Sequence, residues 1–430
     1  MIPRFINERR LRIYPRLVLL AVCVVHTFNV LFRQGWRGGL GQIIGIDFII
    51  LYVTGMLYRT DIVHLYDFST QLAVERWLIW PTGLPGSGPF INPPYVALGY
   101  SAFTHLSLVC AFLLWSILTL LFLLIAVSLS VRYLTPPWLV QAGMTRSGLF
   151  IVLLSFLPFF EGFQAGQNHV LTLLLVTGIT VATLSGRWYL AGLLAGFLLY
   201  KPQFVLGFII VWLIWREYKA LASFTAVAVA WAGAVVVSHG FDPYLVYLRT
   251  IDQIYWLPYI KGWPAYLMTT PYGLLATLLP QDWLPAILWV TRLLTVAASV
   301  IVAWFAYRCR NVSCSNRHPA LVFALLYPFF ATPYVLLHDL LILVPVFLLL
   351  SADREVADRL LYAAIFTYFG ALVLLLLGQK FNVALFVFIP AGLLALYVKS
   401  LRAKMVGRSD GIPGQGGEEC ERDFHKSSGK

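Results

Sequence analysis

The sequence predicts an all-α polytopic membrane protein: about twelve transmembrane helices, with interfacial helices in the first outer loop. Three observations predict it. Of the 430 residues, 60% are hydrophobic and only 12% are charged, with mean hydropathy +0.80. Apolar runs without charge recur from Leu17 to Val398, where a membrane barrel would show short alternating segments. Basic residues fall at alternate turns between those runs, as the positive-inside rule requires of cytoplasmic loops.

The elements follow in order. Arg4, Arg9, Arg10, Arg12 and Arg16 precede the first apolar stretch and place the N-terminus inside. No small-residue cleavage site follows, so a helix over 17–32 reads as retained. Residues 33–93 then form a long outer loop. Inside it, Phe48–Tyr58 is apolar but well short of the ~20 residues a span needs. With aromatics among its aliphatics, it predicts a helix lying in the headgroup plane, headed by Asp47.

Residues 94–131 contain no Asp, Glu, Lys or Arg. One straight helix of that length would measure ~57 Å, so the run must break, and His105 marks the place. Counted as one net crossing, it lets helices near 148–162, 168–184, 188–201, 202–215 and 219–238 alternate. Those near 284–307, 319–333, 339–351, 360–377 and 383–399 follow in turn. Arg132 and Arg146, Arg187, Arg216 and Lys219, Arg308 to Arg317, Arg354 and Arg359, and Lys399 to Lys404 then all face inside. A second outer loop covers 239–283. Residues 1–401 thus make one transmembrane domain. Residues 402–430, rich in Gly, Ser and charge, predict a disordered cytoplasmic tail.

Composition also excludes. The net charge of +12 is accounted for by cytoplasmic loops, not by a nucleic-acid surface. The five cysteines suggest neither a disulfide framework nor a zinc site. No cluster demands a metal, and no Gly-rich phosphate loop or other cofactor motif is present. No fixed-period repeat supports an inverted-repeat transporter.

This topology gathers polar residues at the outer face, where ionisable groups at the membrane edge are costly. In "LLYKPQFVL", Pro202 breaks an apolar stretch beside Lys201, and Gln203 follows. Lys201 either snorkels from a helix end or neutralises a phosphate at the membrane edge. His338 and Asp339 follow Pro333. Asp339 reads as a helix cap, or the pair holds a phosphate or sugar hydroxyl. "EGFQAGQNH", residues 161–169, is a polar turn in which Gln167 and Asn168 offer amides suited to sugar hydroxyls. Pro93 and Pro94 fix a helix entry. Asp47 reads as the cap of its helix, or as a base at the depth where a lipid headgroup meets water.

Taken together, these stretches resemble glycosyltransferase family 87, the polyprenyl-phosphate-sugar-dependent membrane transferases of the GT-C fold, which include α-1,2-mannosyltransferases. The resemblance rests on Asp47–Phe48, "LYD" at 65–67, Pro93–Pro94, "GQN" at 166–168, "KPQ" at 201–203 and the stretch from Pro333 to His338. Where many members carry His-His, this chain has His338–Asp339, and where they carry Ser-Trp it has Val335–Leu336.

The resemblance implies a GT-C-like bundle in an inner membrane, working in the cell envelope with both termini cytoplasmic and its site outside. It implies Asp47 as catalytic base and His338 at the donor phosphate, which Lys201 joins. Gln167, Asn168, Gln203 and Asp339 fall to the sugar or acceptor. The expected partners are a polyprenyl-phosphate-linked sugar, with mannose leading, a glycan or glycolipid acceptor, and membrane lipids. No cofactor is expected. The alternative function is a transporter or flippase of lipid-linked sugars or other small molecules.

Overall fold

The structure is a computed structural model. It describes residues 8–83, 88–141, 144–260, 262–311, 317–352 and 354–408. Nineteen α-helices are found among the described residues, joined by short 3-10 turns and three isolated backbone bridges, with no strand.

The helix α1 (Glu8–Leu31) is followed by three helices within the first loop and its exit: α2 (Ile46–Thr60), α3 (Phe68–Leu78) and α4 (Pro94–Ser101). Next come α5 (Leu108–Leu129), α6 (Pro137–Gln141), α7 (Arg146–Leu154), α8 (Leu157–Ala165) and α9 (His169–Leu184). The middle of the chain holds α10 (Trp188–Phe197), α11 (Leu206–Trp215), α12 (Tyr218–His239), α13 (Asp242–Thr250) and α14 (Pro271–Leu278). The last third holds α15 (Leu284–Arg308), α16 (His318–Ala331), α17 (Leu343–Leu350), α18 (Arg354–Phe381) and α19 (Phe388–Arg408).

Five helices among the described residues are long and apolar enough to cross a membrane: Ile13–Leu31, Leu108–Leu134, Tyr218–His239, Gln281–Arg308 and Tyr362–Phe381. A sixth arises if α7 and α8, bent by 64° at their junction, count as one span. Six shorter apolar helices accompany them, including His169–Leu184, His318–Ala331 and Leu337–Leu350. Reaching the twelve spans counted from the sequence requires every one of these short helices to cross. The chain is a multi-pass, all-α membrane protein.

The uncharged run from 94 breaks where its length demands. α4 has eight residues, about 12 Å of helix. A 3-10 turn over Ala102–His105 ends it, and Ser107 caps α5 by accepting the Cys110 N–H at 3.4 Å. α19 carries on through Arg408, past the boundary drawn at 402, and residues 409–430 of the expected tail lie outside the described residues.

The loop segment departs from its expectation. α2 does not lie open on a headgroup layer. Phe48, Ile49, Leu51, Tyr52, Val53, Leu57 and Tyr58 are all buried within the protein. Gly55 lets α2 meet α4 backbone to backbone: a Cβ there would stand 2.8 Å from the Tyr100 carbonyl carbon. An apolar helix too short to span has thus buried its sides in protein.

The core has two parts. The larger is built around α9, α11, α16 and the 3-10 turn Leu337–Ile342. The smaller surrounds α2, with Tyr100 and Trp115. Leu171 and Tyr200 pack against both, and the polar residues singled out above collect beside this junction.

Candidate active site

Asp47 is held by the turn that starts α2. Gly45, in the left-handed region at φ 72°, occupies the N-cap, and its N–H donates to the Gln164 carbonyl at 2.8 Å. Asp47 therefore sits in the first turn, and no side-chain bond caps the helix. This corrects the capping reading: the cap is Gly45, which leaves the Asp47 carboxylate to face other groups. Phe48 anchors the turn. It is fully buried among Tyr100, Phe103, Phe112 and Trp115, and the Trp115 indole N–H donates to the Gly166 carbonyl at 2.9 Å. These contacts bind the head of α2 to the α8–α9 turn.

α8 supplies Glu161, the turn after it Gln167 and Asn168, and the start of α9 His169. Gln167 lies beside the Asp47 carboxylate. Asn168 is buried, and its side-chain oxygen has no hydrogen-bond partner among the described residues. His169 is buried with both ring nitrogens facing carbonyls, Nδ1 that of Gln167 and Nε2 that of Phe159, each at 3.2 Å. Gly162 makes room for the imidazole, since a Cβ there would lie 2.7 Å from the ring.

Two breaks bring the remaining groups. The first is the one forced by Pro202: 3-10 turns flank Lys201, which has φ −130° and ψ 73° and is buried. The second is the extended stretch after α16. Thr269 N–H and Oγ1 both donate to the Val335 carbonyl, at 2.9 and 3.0 Å, and Thr270 Oγ1 donates to the Pro333 carbonyl at 3.0 Å. So held, the chain enters the turn that carries His338 and Asp339, both buried.

Lys201 Nζ donates to Asp339 Oδ1 at 2.6 Å. The other carboxylate oxygen, Oδ2, accepts the Leu336 N–H at 3.4 Å. Asp339 therefore serves its turn and pairs a cation at once. His338 Nδ1 stands 3.4 Å from Glu161 Oε2, and Nε2 stands 3.8 Å from Asp339 Oδ2. The ring of His169 meets that of His338 edge-on, with centroids 5.8 Å apart. Gln203 Nε2 donates to the Tyr334 carbonyl at 3.3 Å, and the Tyr334 ring leans on Trp263.

The result is an acid-rich polar cluster within an apolar bundle. Asp47 feels His338, Glu161 and Lys201. Burial is the largest influence on it and disfavours the carboxylate. His338 opposes that effect, Glu161 adds to it, and Gln167 and Lys201 oppose it, leaving the pKa raised to about 6. Tyr334 is held well above the usual phenol range, by burial first and then by Asp47, Asp339 and Glu161. No group of three or more His, Cys, Asp or Glu side chains able to hold a metal occurs among the described residues.

Asp47, Gln167, Lys201, His338 and Asp339 are thus brought into one neighbourhood, with Asn168 and Gln203 against it. Sequence reasoning counted Glu161 and His169 only among the polar residues of one face, and Tyr334 not at all. A signal existed for Glu161, an acid at the point where the apolar run from 148 meets the polar turn. Tyr334 had none beyond its place between Pro333 and His338.

A model of glycosyltransferase family 87 matches residues 90–337. The chain belongs to glycosyltransferase family 87. No curated protein and no solved structure matches it. As a family 87 member it is a glycosyltransferase, and the transporter alternative is not favoured. The matched stretch contains Glu161, Gln167, Asn168, Lys201, Gln203 and Tyr334, and ends one residue before His338. Asp47 precedes it and is joined to it by the contacts of the head of α2 with Gln164.

Proposed function

We propose that this family 87 protein transfers a sugar, with mannose the leading candidate, from a polyprenyl-phosphate-linked donor to a glycan or glycolipid hydroxyl at the outer face of the membrane. Asp47 is the base. It takes the proton of the acceptor hydroxyl as that oxygen bonds to the anomeric carbon. The bond from that carbon to the phosphate oxygen breaks, and its electron pair leaves with the polyprenyl phosphate. His338 and Lys201 offset the charge that develops on the phosphate. Gln167, Asn168, Gln203 and Asp339 border the sugar and acceptor.

Direct displacement inverts the anomeric centre, so a β-linked donor yields an α-glycoside. Glu161 is a second nearby acid, but it faces the His338 imidazole, whereas a retaining scheme needs one carboxylate as nucleophile on the anomeric carbon and the other as acid and base at the exchanging oxygens. Of the two cations assigned to the phosphate, Lys201 is already paired with Asp339, so its contribution is a fixed field.

The observation that carries the reading is the Asp47 carboxylate. It heads a buried helix with no capping duty, within electrostatic reach of His338 and Lys201, and its pKa of about 6 suits a base near neutrality. The experiment is transfer in purified membranes with polyprenyl-phosphate donors bearing mannose, glucose or arabinofuranose, comparing the natural protein with Asp47→Asn. Transfer from one donor that the variant abolishes is expected. Undiminished transfer by the variant removes Asp47 as the base.

A further inference from the structure

We propose that Glu161 is a positioning residue for this reaction: its carboxylate holds the His338 imidazole by Nδ1, so that Nε2 is the face presented to the donor phosphate. The inference rests on the transferase reading above and goes beyond it, because that reading needs His338 near the phosphate but does not say what aims the ring.

The geometry limits what aims it. His338 is buried, and charged or titratable groups meet it from α8, α9, α2 and its own turn. Glu161 reaches it from α8 with Oε2 3.4 Å from Nδ1. Asp339, its chain neighbour, faces Nε2 at 3.8 Å, beyond hydrogen-bond reach. Lys201 faces the same carboxylate, through Oδ1 at 2.6 Å. His169 presents a ring edge from α9, with its own nitrogens turned to backbone carbonyls. Asp47 lies within electrostatic reach from α2. Of these groups, Glu161 alone lies within hydrogen-bond distance of an imidazole nitrogen.

A carboxylate accepts and does not donate, so the Glu161 contact assigns the Nδ1 hydrogen. A ring that gives Nδ1–H to Glu161 can donate from Nε2 only as imidazolium, and the carboxylates of Glu161 and Asp339 compensate that charge from both sides. Packing supports the same orientation. Gly162, next to Glu161, lets His169 pack on α8, and His169 buttresses His338. Glu161 remains partly exposed, with 29% of its side chain accessible, where the other acid beside the ring, Asp339, is almost fully buried.

The test is a double-mutant cycle on the full chain in detergent, with the polyprenyl-phosphate sugar that the natural protein accepts. Glu161→Gln is expected to lower kcat/KM for the donor roughly tenfold to hundredfold, while KM for the acceptor stays unchanged. His338→Gln is expected to lose at least as much. The double variant should be no slower than His338→Gln alone, because Glu161 acts through that ring. Losses that multiply, or a Glu161→Gln protein with natural kinetics, overturn the inference.

Thermal unfolding followed by tryptophan fluorescence accompanies each variant. If Glu161→Gln unfolds early, the cycle is run with Glu161→Asp, where the same coupling supports the proposal and multiplying losses end it. Asp47→Asn is assayed alongside. If it transfers sugar normally, the functional reading fails, whereas an inactive Asp47→Asn with uncoupled Glu161 and His338 variants sinks the positioning role alone.

Discussion

Lys201 Nζ meets Asp339 Oδ1 at 2.6 Å across 138 residues of chain, with 10% and 2% of the two side chains exposed. The pair joins the break after α10 to the turn before α17, so two irregular stretches of backbone share one electrostatic lock. A buried pair is costly to split, because the remaining charge is left without a partner. Lys201→Met and Asp339→Leu are each expected to lose about 3–5 kcal/mol of stability. The double substitution should lose much less than the sum. Thermal unfolding in detergent measures all three, and strictly additive losses would show that the two side chains are not coupled.

Asp47 predicts the acid side of the pH profile. A base must be ionised, and burial raises this carboxylate to about 6. Below that pH the protonated acid cannot take the acceptor's proton, so kcat should fall as pH drops through about 6 and level off above it. Asp47→Asn should lose roughly 10²- to 10⁴-fold in kcat and show no such acid limb. Transfer rates between pH 4.5 and 8.5, with the fold checked at each pH, measure this. A rate that stays almost level down to pH 4.5, as the ordinary carboxylate value of 3.8 would give, would mean that Asp47 is not desolvated in the working enzyme.

The close approach of α2 to α4 predicts an effect at a distance. A methyl at residue 55 meets the Tyr100 carbonyl and the Ser101 nitrogen, both backbone atoms that cannot step aside. Gly55→Ala should therefore push the helices apart, cost about 1–3 kcal/mol and displace Asp47 at the head of α2. Its kcat should fall by more than its unfolding midpoint alone explains. A stable Gly55→Ala protein with natural kcat would mean that α2 tolerates the shift.

How far the sequence reached follows from which forces act locally. The bundle was legible because hydropathy and charge act residue by residue: Leu108–Leu134 and Tyr218–His239 announce themselves. Pro202 predicted the break at Lys201 because a missing N–H is a property of one residue. The partner of Lys201 was not legible, since nothing in "LLYKPQFVL" points to Asp339. The burial of α2 was missed for a similar reason. An apolar segment too short to span fits a headgroup plane or a protein interior equally well, and Tyr100 and Trp115, which decide it, lie far along the chain. Gly45 as the cap in place of Asp47 depends on the Gln164 carbonyl, a tertiary contact.

Tyr334 gives the last prediction. Its phenol is held protonated by burial and by Asp47, Asp339 and Glu161, so it keeps an O–H to donate to an anionic or hydroxylated substrate. The ring has a separate duty, leaning on Trp263 at 6.1 Å between centroids. Tyr334→Phe keeps the ring and removes the donor. It should fold with an unfolding midpoint close to natural and lose about tenfold in kcat/KM, the size of one hydrogen bond worth about 1.4 kcal/mol. Tyr334→Ala should lose the ring packing as well and unfold earlier. Steady-state kinetics with the accepted donor separate the two effects. If Tyr334→Phe is as fast as the natural protein while Tyr334→Ala is slow, the hydroxyl faces the three acids without touching substrate, and the residue is a packing element alone.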